Sequence, residues 1–194
     1  MTQELAFIPQ HLIRRGNKVL ENVVSILVGV TGVSLLAQIA IPLPLTPVPI
    51  TGQTFGVALA SLMWGRKRGV AVVLTYLGLG ALGLPVFAMG QSGFSFGPTT
   101  GYLIGMVFAS YWIGLLSDLG WTRTFLRSYF ATFSGSAIIF FCGVIVLSFF
   151  IPSKNLITAG VLPFLPGDFI KTLLASFIAT RAQNSLGEKT SEPS

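Results

Sequence analysis

Residues 50–84 read ITGQTFGVALASLMWGRKRGVAVVLTYLGLGALGL. Two apolar blocks, Ile50–Trp64 and Val70–Leu84, flank the cationic pentapeptide Gly65-Arg66-Lys67-Arg68-Gly69. Within each block the apolar residues run on continuously instead of alternating in steps of two. That is the pattern of a buried or lipid-facing helix rather than of a barrel strand. The basic turn divides one long apolar stretch into a helical hairpin.

Working outward, four more stretches have the length and polarity of membrane spans: Val23–Ile41, Thr99–Leu116, Tyr129–Ile151 and Pro163–Thr180. Composition agrees. Of 194 residues, 52% are hydrophobic and only 9% charged, against about 25% charged in a soluble domain. Such a chain must face lipid, where the backbone satisfies its own hydrogen bonds. The sequence therefore predicts an all-α integral membrane protein of the cell membrane, a six-transmembrane-helix bundle forming one domain over 1–194. Residues 1–21 form an N-terminal arm, 22–181 the bundle, and 182–194 a flexible polar tail. Arg14, Arg15 and Lys18 ahead of the first span could suggest a signal peptide. The span is too long for one and is followed by no A-x-A site, so it is read as retained.

The basic residues fix an orientation. Arg14, Arg15 and Lys18 precede the first span, Arg66, Lys67 and Arg68 divide the second from the third, Arg123 and Arg127 lie between the fourth and fifth, and Arg181 and Lys189 follow the sixth. With six spans all four groups fall on one side, predicted to be the cytoplasm together with both termini. Lys154 alone falls opposite. A net charge of +6 raises nucleic acid as a partner, but the cations sit in short clusters without interleaved aromatics, so a lipid bilayer is expected and nucleic acid is not. Nine of the eleven prolines, from Pro42 to Pro166, lie at the outer ends or in the outer loops, joined by Gly90, Gly93 and Gly97. Stiff, irregular backbone gathered on one face survives in a membrane where it lines a cavity or packs on protein.

Two small-residue stripes, Gly52-Gly56-Ala60 and Gly101-Gly105-Ala109, permit close helix approach, either inside the bundle or against another subunit. The most informative residues are Asp168 and Lys171, three apart on one face of the last span. Ionisable groups in a span cost about 2.5–3.5 kcal/mol each at its centre. They persist either as a self-neutralising brace or as a site for a solute carrying both N–H donors and a carbonyl or carboxylate. Enzyme motifs are missing: no Ser-His-Asp set, no H-E-x-x-H, no nucleotide-binding P-loop. His11 reads as a solvated surface residue, and Cys142 is the chain's one cysteine, so neither an intrachain disulfide nor a zinc site is expected. No catalytic or metal site and no cofactor are expected, and active uptake would need an external motor.

Five segments then resemble the BioY family, the biotin-binding S components of energy-coupling-factor (ECF) vitamin transporters. They are Gln38–Pro44, Pro47–Thr54, Gly83–Ala88, Gly97–Gly105 and Pro163–Lys171, in order along the chain. The resemblance implies a substrate site open to the outside, biotin as ligand, and an ECF transmembrane coupling protein with ATP-binding cassette ATPases as partners. It matches Asp168 and Lys171 to the family's polar biotin-binding pair, and places Gln53, Phe87 and Tyr102 in pocket-lining motifs. It leaves open whether Lys171 serves the ureido oxygen or the valerate carboxylate. Thr100 departs from the family pattern, where a small residue is expected, as do Gln91 and Ser92 in the glycine-rich loop. A transporter working alone, a membrane enzyme using Asp168 as acid or base, and a structural subunit without ligand are the competing readings.

Overall fold

The computed structural model describes residues 18–93 and 95–189. His11, Arg14 and Arg15 lie outside the described residues. Helix α1 spans Lys18–Gln38, followed by a two-residue antiparallel ribbon, β1 (Ala40–Ile41) with β2 (Ile50–Thr51). Helices α2 (Gln53–Ala81), α3 (Thr100–Asp118), α4 (Phe125–Leu147), the short α5 (Leu156–Gly160) and α6 (Leu165–Lys189) complete the described chain.

Helix α2 is the expected hairpin. Its hydrogen-bond pattern is nearly continuous, but Gly65 has φ 73° and ψ −173°, a conformation open essentially only to glycine. A Cβ placed on Gly69 would stand 3.0 Å from the Cα of Ser61, whereas eight residues of straight helix cover about 12 Å. The chain therefore turns back on itself at Gly65. Arg66, Lys67 and Arg68 begin the returning arm instead of forming an open loop. With α1, α3, α4 and α6, the two arms make the six-transmembrane-helix bundle. Three of these helices are each long and apolar enough to cross a bilayer by themselves, and the bent pair Ser153–Gly160 with Leu165–Ser185, with 41° between its arms, is a fourth if its two arms make one span.

Packing follows membrane logic, with small and hydroxyl residues inside and large apolar ones outside. Leu27, Leu35, Phe108, Phe133, Phe141 and Phe177 are exposed and supply the lipid-facing surface. Inside, Val33, Ala37, Val57, Val72, Tyr76 and Met106 form the main core. Both small-residue stripes are consumed within the bundle: Gly52 and Gly56 lie against Leu36 and Val33 of α1, while Gly101 and Gly105 lie against Cys142 and Ile139 of α4. They are packing faces, not free docking faces. Between α4 and α6 a hydroxyl ladder runs in register, with Ser128 and Thr180 3.1 Å apart and Thr132 and Ser176 3.0 Å apart.

The bundle has two distinct ends. At one, Arg68 meets Glu21 at 3.9 Å, the Arg66 amide donates to Asp118 at 3.2 Å, and Gln183 donates to the Leu62 carbonyl at 3.0 Å. The start of α1, the turn of α2, the end of α3 and the far half of α6 thus gather together, as their basic residues predict. The proline- and glycine-rich segments occupy the other end. Helix α6 continues past Thr180 through Lys189, into the segment expected to be a polar tail.

Candidate functional site

A cavity of about 770 Å³ opens at the proline-rich end, within the 300–1,000 Å³ range of small-molecule sites. Its rim is made of residues 42, 43 and 46–49, between β1 and β2, and of residues 87–93, 95 and 97–99. Its floor comes from α2, α3, α4 and the start of α6. Pro42, Pro47, Pro49 and Pro98 line it, so the irregular backbone read from the sequence does border a cavity.

All five residues singled out in the sequence, Gln53, Phe87, Tyr102, Asp168 and Lys171, line this one space. Asp168 and Lys171 sit at the start of α6, one helical turn apart, with Asp168 only 5% exposed. They are not spent on each other. Among the described residues no ion pair within 4.0 Å joins them; instead Ser136 of α4 donates to Asp168 Oδ1 at 2.8 Å. The Lys171 ammonium donates to the Thr51 carbonyl at 3.1 Å and to Thr54 Oγ1 at 2.8 Å. An acid and a base are each held by neutral partners, with bonding capacity left over on both. A carboxylate accepts at about four positions and an ammonium donates three bonds.

Gln53 is fixed from two directions. Its Oε1 accepts from Thr51 Oγ1 at 3.0 Å, and its Nε2 donates to the Tyr76 hydroxyl. The aromatic wall depends on glycines for close approach. A Cβ on Gly80 would overlap the Phe87 ring, and one on Gly143 the Tyr102 ring. Phe87 meets Tyr76 edge-on at 5.5 Å between centroids, and the Tyr102 hydroxyl donates to the Gly160 carbonyl at 2.8 Å. Phe164 adds a further ring 6.2 Å from Tyr102. Polar groups around Asp168 and Lys171 thus share the space with a wall of aromatic and aliphatic side chains.

Thr100 receives a definite role. Its Oγ1 accepts from the Gly97 amide at 2.9 Å and donates to the Ser95 carbonyl at 3.3 Å, tying the incoming loop to the first turn of α3. Gln91 and Ser92 both lie on the cavity wall. Sequence reading missed Ser136, Thr51 and Thr54, which hold the two charges. The available signal was the four-residue spacing of Ser128, Thr132 and Ser136 along α4, opposite Thr172, Ser176 and Thr180 on α6.

An open-mouthed cavity with a fixed acid, a fixed base and an apolar wall, at the irregular end of a six-helix bundle, defines a membrane protein that captures a small solute. The BioY family model matches residues 6–188, and the chain belongs to that family. It is 40% identical to the biotin transporter BioY of Thermotoga maritima over 144 residues, covering 73% of this chain and 84% of that protein. It is 37% identical to the probable biotin transporter BioY of Pyrococcus horikoshii over 166 residues, covering 84% and 96%. Among solved structures, the S-component for biotin from an ECF-type ABC transporter superposes with a TM-score of 0.78 at 30% identity, covering 89% of this chain and 95% of that one.

Proposed function

We propose that this protein is the substrate-binding S component of an ECF biotin transporter. It takes biotin into the cavity from the outer side of the membrane and relies on a transmembrane coupling protein and ATP-binding cassette ATPases for uptake. The observation that carries this reading is that Asp168 and Lys171 face the cavity, bonded to neutral partners rather than joined in a direct ion pair. A structural brace would bring the two charges into contact. Biotin's ureido ring offers two N–H donors and one carbonyl, and its valerate arm ends in a carboxylate. Asp168 accepts a ureido N–H, Lys171 takes one of the ligand's oxygens, and Phe87, Tyr102 and Phe164 enclose the apolar part.

The placing of the basic end in the cytoplasm follows from the positive-inside bias, which puts the cavity outside and both termini inside. A reporter fused to the C-terminus and found to be external overturns that orientation.

Calorimetric titration of biotin into the purified protein tests the ligand. Saturable binding by the parent, lost in Asp168→Asn and Lys171→Met, establishes the site; a folded parent that takes up no heat from biotin refutes it. Biotin uptake by cells with and without the ATPases then separates a dependent S component from a transporter that works alone.

A further inference from the structure

Gln38 ends α1 and is exposed, so by position it resembles an ordinary polar residue at a membrane surface. Its side-chain amide lies instead against a loop about fifty residues further along the chain. Nε2 donates to the Phe87 carbonyl at 3.1 Å, with a longer approach to the Val86 carbonyl at 3.4 Å, and Oε1 accepts from the Gly90 amide at 2.9 Å. One planar amide thereby bridges both sides of the turn 87–90, in which the Gly90 amide also donates to the Phe87 carbonyl at 3.2 Å. Nε2 also reaches the Ser34 carbonyl of its own helix at 3.1 Å, which anchors the amide to α1.

The turn it holds is strained. Met89 has φ 60° and Gly90 φ 70°, and Met89 is the only described residue other than glycine with a positive φ. A left-handed bulky residue persists only where its surroundings over-determine it. The same turn is cavity wall: Phe87, Ala88, Met89, Gly90 and Gln91 all line the space, whereas Gln38 does not. Any influence of Gln38 on a ligand must therefore pass through this backbone.

We infer that Gln38 is a positioning residue for ligand retention: it locks the 87–91 wall in its cavity-lining shape and so sets how slowly a captured solute leaves. The inference rests on the biotin reading above for its ligand. Rotation of the turn away from the cavity would withdraw Phe87 from its notch over Gly80 and open the wall beside Gln53 and Tyr76. Removing the amide leaves the Gly90 N–H and Phe87 carbonyl with fewer partners, and the loss falls on dissociation more than on encounter.

The test uses the full chain in detergent or nanodiscs, comparing the parent with Gln38→Ala and Gln38→Glu. Glutamate keeps an acceptor for Gly90 but sets a second oxygen against the Phe87 carbonyl. Release of labelled biotin is expected to be roughly tenfold faster in both variants, with association within about threefold of the parent. Hydrogen exchange at the Gly90 amide is expected to rise in ligand-free Gln38→Ala, which removes its acceptor, with melting temperature unchanged. Parental release rates, or parental exchange at Gly90, overturn the inference. If Gln38→Ala does not fold, Gln38→Glu, which loses the contact to the Phe87 carbonyl, decides the matter by its release rate. A folded parent that binds no biotin sinks the proposed function, and the clamp then stands or falls on exchange at Gly90.

Discussion

The two ends of the bundle use charge in opposite ways. At the basic end, cations and carboxylates meet each other in partly exposed surroundings: Arg66 approaches Asp118 at 4.0 Å with both side chains more than a third exposed, and Arg68 approaches Glu21 at 3.9 Å. At the cavity end, Asp168 and Lys171 are neighbours on one helix yet bond to hydroxyls and a carbonyl. An exposed ion pair contributes about 0–1 kcal/mol, so the basic end gains little stability from the Arg66–Asp118 contact. Charges withdrawn from water and not neutralised by direct contact are costly to keep. Their retention at the cavity end is best accounted for by a ligand that completes their bonding.

The largest effect that can break this comparison is loss of either cavity charge. Lys171→Met is expected to weaken biotin binding roughly ten- to hundredfold, since a charge-assisted contact contributes about 1.5–3 kcal/mol. The folded bundle should persist, because Thr51 and Thr54 lose a partner at a polar cavity wall rather than in a dry core. Isothermal titration with a melting curve on the same sample separates the two quantities. Binding within about threefold of the parent would erase the distinction between the ends.

Next in size is a change at the basic end that strikes the fold and spares the site. Gly65→Ala forces a side chain into a conformation costing about 1–3 kcal/mol and drives its Cβ into the Asp118 carboxylate. The melting temperature should fall, while the fraction that remains folded keeps parental biotin affinity. A parental melting temperature would mean that the reversal at Gly65 does not need glycine.

Much of this is legible in the sequence. Six apolar runs and a basic pentapeptide are sufficient for the bundle and its hairpin, because continuous hydropathy and clustered cations survive translation into three dimensions without knowledge of register. Asp168 and Lys171 stood out for the same reason, since few residue types are so costly inside a span. Their holders did not. Ser136 and Thr54 lie in apolar runs where hydroxyls are ordinary helix-interface residues, and only the register of α4 and α2 against α6 shows which of them reach the charges. Gln38 was hidden differently: a polar residue at a helix end looks satisfied by water, and its loop partner lies far along the chain. The small-residue stripes were ambiguous because the same pattern serves internal and external contacts, and packing decided for internal.

Ser136→Ala sharpens the contrast on a smaller scale. Removing one hydroxyl leaves Asp168 Oδ1 without its donor from α4, and the carboxylate is then free to swing toward Lys171. About 1 kcal/mol is at stake, or roughly fivefold in biotin affinity. Ser136→Thr, which keeps the hydroxyl, should recover most of it in the same titration. Equal loss in both variants would point to altered packing at α4 rather than to the hydrogen bond.

The smallest expected effect, that of Asp118→Asn, is also the most direct control, because it repeats at the basic end the chemical change that Asp168→Asn makes at the cavity. Asp118→Asn and Asp168→Asn each exchange a carboxylate oxygen for an amide nitrogen, preserving shape and removing one negative charge. At Asp118 the remaining oxygen can still accept from the Arg66 amide, and the lost Coulomb attraction is screened by water and salt. Stability should change by less than about 1 kcal/mol and biotin affinity not at all. At Asp168 the same substitution replaces an acceptor facing the ligand with a donor that opposes biotin's own N–H groups, so affinity should collapse while the melting temperature barely moves. Equal losses of affinity from the two substitutions would show that the protein responds to net charge, not to the local bonding of Asp168, and the division between a topological end and a binding end would fail.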